Sequence, residues 1–236
     1  MTSHATAQVP RRISALIYDF DDTIVESERM NDSLFAEVLR RDFGISLSPN
    51  ELDLVYGFSW TGVFEWLTAN HGLGSGREQV WTRFIELKRD LLRGKKLRVA
   101  TGLDRMLSLP VAQAIVSGST RVELAMMMEN IGLAADSLAF VLSDEDCVRG
   151  KPDPEGYLMA LDRLGVPAEE AIVFEDSPAG IEAARRAGIT AAFVAELASR
   201  NSAADADVHF ATMMDAWTVV KERVGTVAGS PDTLRQ

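Results

Sequence analysis

The sequence is poor in the residues that build disulfides and soft metal centres: one cysteine, Cys147, and three scattered histidines, His4, His71 and His209. A lone cysteine forms no intrachain disulfide, and the histidines are read as structural or surface residues. Cys147 follows Asp144-Glu145-Asp146, whose charge opposes thiolate formation, so a cysteine nucleophile is not expected. No apolar stretch approaches the roughly 18 residues that span a bilayer, and no cationic start followed by an apolar run marks a secretory leader. A soluble, cytoplasmic protein with no membrane partner is the expectation. The net charge of −11 is not offset by any Lys/Arg cluster, which disfavours a nucleic acid polymer as partner. Repeats and low-complexity segments are absent.

What is present is ordinary globular material: 236 residues, 47% hydrophobic and 25% charged. This suffices for an α/β core with a sizeable insertion. Residues 1–11 and 225–236 lack periodicity and are expected to be disordered tails. Ile13 to Phe20 is a short apolar run ending in acidic residues, the pattern of a buried strand leading into a functional loop. From Glu28 to Leu97 the pattern is helical. Glu28 to Phe43 places Leu34, Phe35, Val38 and Leu39 on one face and stops at Gly44. Ser48-Pro49-Asn50-Glu51 resembles a capping box with proline at the first helical position. Helices over Thr61 to Asn70 and Arg77 to Arg93 complete the segment. Trp60, Trp66 and Trp81 are expected in its core, and Met126-Met127-Met128 in the packing of a later helix.

From Val111 strands alternate with helices. Val111 to Val116, Leu138 to Leu142, Ala171 to Phe174 and Thr190 to Val194 are the predicted strands; Ser119 to Asn130, Pro154 to Leu164 and Pro178 to Ala187 are the predicted helices. The alternation predicts a Rossmann-like parallel sheet with helices on both faces. The core then comprises residues 1–27 and 98–236, with residues 28–97 inserted as an α-helical cap domain.

Ligands bind such sheets at the carboxyl ends of strands. Asp19 and Asp21 follow the first strand there, Ser117 follows the second, and Glu175-Asp176 follow Ala171 to Phe174; Lys151 precedes a helix. Carboxylates gathered in one crevice need a bound cation to offset their repulsion. Oxygen donors suit Mg²⁺, which is typically held by one or two carboxylates and a substrate phosphate. Taken alone, Asp21-Asp22-Thr23 is a good turn or cap sequence, and Lys151 and Ser117 are ordinary loop residues; only their joint order suggests chemistry.

Asp19-Phe20-Asp21-Asp22-Thr23, Ser117, Lys151-Pro152 and Glu175-Asp176 resemble the four ordered motifs of the haloacid dehalogenase-like phosphohydrolases. The run Phe174 to Ala184 is similar to the subgroup containing beta-phosphoglucomutase and sugar-phosphate phosphatases. The resemblance implies Asp19 as nucleophile, Asp21 as acid and base, Ser117 as a phosphoryl hydrogen-bond donor, and Lys151 as the balancing cation. It implies Mg²⁺ held by Asp19, Asp176 and the backbone carbonyl of Asp21, with Glu175 a further ligand or a support. Thr23 and Gly118 are expected beside the substrate, and Tyr56, Phe58, Ser59 and Trp60 over its leaving group. Asp21 favours phosphoryl transfer over dehalogenation, and no lysine near the start of the cap supports a phosphonatase. Where beta-phosphoglucomutase has a cap histidine and a phosphate-gripping arginine, this chain has Asn31 and the cation-free Tyr56-Gly57-Phe58-Ser59-Trp60, which favours a phosphatase of a sugar or polyol monophosphate. A mutase and a non-catalytic phosphate-binding regulator are the alternatives. The expected partner is a small phosphate ester, the expected state a monomer or weak homodimer.

Overall fold

The structure, a computed structural model, describes residues 9–55, 60–199 and 205–224. Its centre is a six-stranded, wholly parallel sheet in the order β3-β2-β1-β4-β5-β6. The strands are β1 (Ala15–Tyr18), β2 (Ala112–Val116), β3 (Phe140–Leu142), β4 (Ala171–Glu175), β5 (Thr190–Val194) and β6 (Val208–Phe210). β1 lies centrally, with Ala15 in register with Ala112 of β2 on one side and Ala171 of β4 on the other. All four β1 residues are buried, as a strand covered on both faces requires.

Alternation of side chains sorts the sheet residues between two cores. Leu16, Tyr18, Ile115, Ile172 and Phe174 join one with α5 (Leu103–Leu107), α6 (Arg121–Ile131) and α9 (Met213–Val220). Ala15, Ile17, Val116 and Val173 join the other with α7 (Glu155–Leu164) and α8 (Pro178–Arg186). Tyr18 stacks on Phe174 with ring centres 5.3 Å apart. Its hydroxyl donates to Gln113 Oε1 at 2.8 Å, so a buried polar group is satisfied rather than orphaned.

Between β1 and β2 lie α1 (Glu28–Phe43), α2 (Pro49–Val55), α3 (Trp60–His71) and α4 (Arg77–Gly94). They bury a core of their own around Phe35, Leu39, Phe64, Leu67 and Phe84. α2 starts where the sequence signals it: Ser48 N and Oγ donate to Glu51 Oε2 at 2.8 and 2.7 Å. The insertion is tied to the sheet half by Lys88 of α4, fully buried, whose Nζ donates to Glu123 Oε1 of α6 at 2.8 Å. Among the described residues no helix is long and apolar enough to cross a membrane.

Several expectations need correction. Residues 9–11 do not belong to a loose tail: Val9 is buried in the sheet core, and the Arg223 guanidinium donates to the Val9 and Pro10 carbonyls. Residues 1–8 and 225–236 lie outside the described part. The α6 helix begins later than Ser119, because Thr120 caps it through a reciprocal box with Glu123. α5, β6 and α9 were not anticipated from the sequence.

Candidate active site

The β1, β2 and β4 strands end side by side, so the residues after them share one crevice. Asp19 enters from β1, and its backbone N–H donates to the Phe174 carbonyl on the adjacent strand at 2.9 Å. The turn beyond it is held by Asp22, a non-glycine residue in the left-handed region at φ 53°. Asp22 Oδ1 accepts from the N–H groups of Ser27 and Glu28, and Oδ2 from that of Ser199. A short acidic side chain suits this backbone state because it can bond locally. This one residue both fixes the turn after Asp19 and leads into α1.

Lys151 Nζ bridges Asp19 Oδ1 at 2.5 Å and Glu175 Oε1 at 2.6 Å. Glu175 is saturated. Its Oε1 also accepts from Tyr157 Oη at 2.7 Å, and its Oε2 from Asp176 N, Ser177 N and Ser177 Oγ. One oxygen each of Asp19, Glu175 and Asp176 lies within 4.8 Å of the others, a group that could hold a metal ion. With five hydrogen bonds already on Glu175, the two carboxylates with oxygen to spare are Asp19 and Asp176. Gly180 makes this arrangement possible: a Cβ there would stand 1.6 Å from Glu175 Oε1.

Electrostatics point the same way. Burial holds the Asp19 carboxyl well above the usual range; Lys151 opposes this, while Glu175 and Asp21 add to it. Asp176 is likewise raised by burial and then by Asp19 and Glu175. Burial works against the charge on Lys151, yet Asp19 and Glu175 hold its pKa well above the ordinary lysine value. One lysine among three carboxylates leaves negative charge uncompensated, and a hard divalent cation with oxygen ligands fits that deficit.

Asp21, two residues beyond Asp19, receives three hydroxyls: Ser27 Oγ on Oδ1 at 2.5 Å, and Ser119 and Ser117 Oγ on Oδ2 at 2.7 and 3.3 Å. Ser27 and Ser119 carry no sequence signal that distinguishes them from loop serines. Both Asp19 and Asp21 open into a cavity of about 590 Å³ between sheet and insertion. Gly118, Lys151 and Asp176 line its base; Glu28, Asn31, Asp32 and Phe35 of α1 and Trp60 of α3 line its wall. Trp60 packs at 5.4 Å on Phe35 and 6.0 Å on Phe64, while its Nε1 donates to Glu123 Oε2 at 3.3 Å. It is at once core and cavity wall. Burial first, then Asp21, Asp22 and Asp32, raise the Glu28 carboxyl well above its ordinary value.

Thr23 needs correction as an expected substrate contact: it is fully buried, and its hydroxyl donates to Asp176 Oδ1 at 3.3 Å. It orients a carboxylate instead. Tyr56, Phe58 and Ser59 lie outside the described residues. Tyr157, Asp22 and Glu28 were missed by sequence reasoning, because each is recognisable only from what it meets in space.

Residues 16–194 match the family model described as haloacid dehalogenase-like hydrolase. The chain is 30% identical over 198 residues to validoxylamine A 7′-phosphate phosphatase of Streptomyces hygroscopicus subsp. limoneus, covering 81% of this chain and 90% of that one. It is 30% identical over 187 residues to hexitol phosphatase B of Escherichia coli K12, covering 75% and 82%. Among solved structures, CbbY from Rhodobacter sphaeroides in complex with phosphate superposes with a TM-score of 0.75 at 18% identity, covering 86% of this chain and 96% of that one. The chain belongs to the haloacid dehalogenase-like hydrolases, and it is a phosphoric monoester hydrolase.

Proposed function

We propose that the protein hydrolyses the monophosphate of a small sugar or polyol through an aspartyl phosphate on Asp19, with Mg²⁺ held by Asp19, Asp176 and the backbone carbonyl of Asp21. Supporting this above all is the juxtaposition of Asp19, gripped by Lys151, with Asp21 at the foot of one cavity between sheet and insertion. A carboxylate oxygen of Asp19 attacks phosphorus and the ester P–O bond breaks. Asp21 gives its proton to the departing alkoxide, then takes one from water as that water attacks the aspartyl phosphate. The second P–O bond breaks, inorganic phosphate leaves, and both carboxylates return to their starting states.

A cation held by Asp19 and Asp176 would supply charge neutralisation for the phosphoryl oxygens. Lys151 adds positive charge beside the transferring group and holds Asp19 in position. Ser117 and Gly118 follow the end of β2, and in this reading the Ser117 hydroxyl and the Gly118 backbone bind a phosphoryl oxygen. Glu175 acts on the reaction through Lys151 and the start of α8. Trp60 closes part of the wall against water.

Related chains are named for a hexitol and for validoxylamine A 7′-phosphate, which favours a compact hydroxylated leaving group. A mutase of a bisphosphate intermediate would need a second phosphate grip, and among the described lining residues Lys151 is the one cation. Release of inorganic phosphate from a panel of sugar and polyol phosphates is the test: Mg²⁺ should support it, and chelation or Asp19→Asn should abolish it. Turnover by Asp19→Asn at the wild-type rate would disprove the role of Asp19, and an isomeric phosphate as product would favour the mutase.

A further inference from the structure

Tyr157 touches the catalytic cluster, yet the reaction as written gives it no task. It lies in α7, is 1% exposed and does not line the cavity, so it does not meet the substrate. Gly156 lets α7 lie close to the end of β2, since a Cβ there would stand 2.9 Å from Val116 Cγ1. The next residue then points under the site: the Tyr157 hydroxyl donates to Glu175 Oε1 at 2.7 Å, and its ring centre lies 5.3 Å from Lys151 Nζ. The other fully buried tyrosine, Tyr18, satisfies its hydroxyl on the neutral amide of Gln113. Tyr157 instead shares the carboxylate oxygen that Lys151 uses.

That sharing bears on where Lys151 sits. Lysine is a point charge on a flexible four-carbon stem, and Lys151 stands in a turn between β3 and α7 rather than in a strand or helix. Its placement is set by what its ammonium meets. One N–H goes to Asp19 Oδ1 at 2.5 Å and one to Glu175 Oε1 at 2.6 Å; an ammonium has three donors, and the third is left for a phosphoryl oxygen. The two carboxylates compete for the same charge. Glu175 Oε2 is fixed by Asp176 N, Ser177 N and Ser177 Oγ, whereas Oε1 has Lys151 and Tyr157 as its donors among the described residues. With the phenol hydroxyl on one lone pair, Oε1 has one left for the lysine. Without it, the ammonium would be drawn from Asp19 toward Glu175, and small displacements of a positioned charge are costly to a transfer step.

We infer that Tyr157 is a positioning residue for the phosphoryl transfer: its hydroxyl, by sharing Glu175 Oε1 with Lys151, keeps the lysine ammonium on Asp19. This rests on the phosphatase reading above. The ring contributes separately, because an ammonium within about 6 Å of an aromatic face is attracted to it, and that part survives loss of the hydroxyl.

The test is Tyr157→Phe, which keeps the ring and removes the hydroxyl. With saturating Mg²⁺ and the best ester of the panel, kcat should fall about tenfold, the low end of what one hydrogen bond to a charged group is worth. KM should stay within about twofold, as expected for a group that does not meet the substrate. In a Glu175→Gln background the same substitution should cost less than about threefold, since the hydroxyl acts through that carboxylate. An unchanged kcat, an equal loss in both backgrounds, or a loss cured by more Mg²⁺ would overturn the inference; the last would mean that Glu175 serves the metal. A second readout needs no turnover. The ammonium resonance of Lys151 in nitrogen-15 NMR, assigned by its absence from Lys151→Arg protein, should be visible in the wild type and should shift or broaden in Tyr157→Phe; an identical resonance in both rejects the inference. Hydrolysis by the wild-type protein judges the phosphatase reading separately: if no ester is hydrolysed that reading fails, and the lysine resonance still decides whether Tyr157 places Lys151.

Discussion

Gly180 shows how one missing side chain organises the site. Any Cβ there runs into the Glu175 carboxylate, which cannot yield without giving up its bonds to Lys151, Tyr157 and the start of α8. Overpacking of this kind costs about 1–3 kcal/mol. Gly180→Ala is therefore expected to lower Tm by roughly 2–10 °C in a chain of this length and to reduce phosphate release sharply, readable by calorimetry and a phosphate assay on one sample. Cys147 illustrates the opposite case, a reactive residue type kept quiet. Burial raises its pKa, and Glu155, Asp146 and Asp144 raise it further, with Lys151 opposing. Because only the thiolate is nucleophilic, iodoacetamide should modify it more slowly at mildly alkaline pH than it modifies free cysteine.

At the scale of elements, the junction between α4 and α6 stands out. Lys88 and Glu123 are both buried at a boundary where the insertion meets the sheet half. Glu123 also caps α6 by accepting from Thr120 N and Oγ1, and it receives the Trp60 indole. Removing one member of a buried pair strands the other charge and costs about 3–5 kcal/mol. Lys88→Met should lower stability by about that amount in urea titration, whereas removing the exposed Arg93–Asp90 pair of α4 should cost below about 1 kcal/mol. A Lys88→Met protein as stable as wild type would show that the junction contributes little.

Across the whole molecule, folding concentrates acidic groups at the switch point of the sheet, and a bound cation would offset the cost of holding them there. A ligand that binds only the folded chain stabilises it by about 2.7 kcal/mol at a hundred times its Kd, so saturating Mg²⁺ should raise Tm by roughly 5–10 °C. Asp176→Asn should erase most of that gain in a thermal shift assay, and an undiminished gain would place the metal elsewhere.

The sequence by itself determined the class of fold, the order of the site residues and the family. Periodicity is a local property, and Asp19, Ser117, Lys151 and Asp176 fall at strand or helix ends that their own neighbours define. The Ser48 to Glu51 cap was legible for the same reason. β6 was not, since three residues are too few to establish an alternation, and α9 went unread although Thr212 and Asp215 cap it as Thr120 and Glu123 cap α6. Only the tertiary structure decided that Glu175 is saturated by donors from four residues, that Thr23 serves Asp176, and that Ser27 and Ser119 meet on Asp21. It alone set Glu28 and Asn31 on the wall of one cavity. Such facts depend on contacts across strands and between insertion and sheet, sometimes over more than 100 residues of chain, as between Lys151 and Asp19, which are 132 positions apart; no local pattern of residues encodes them.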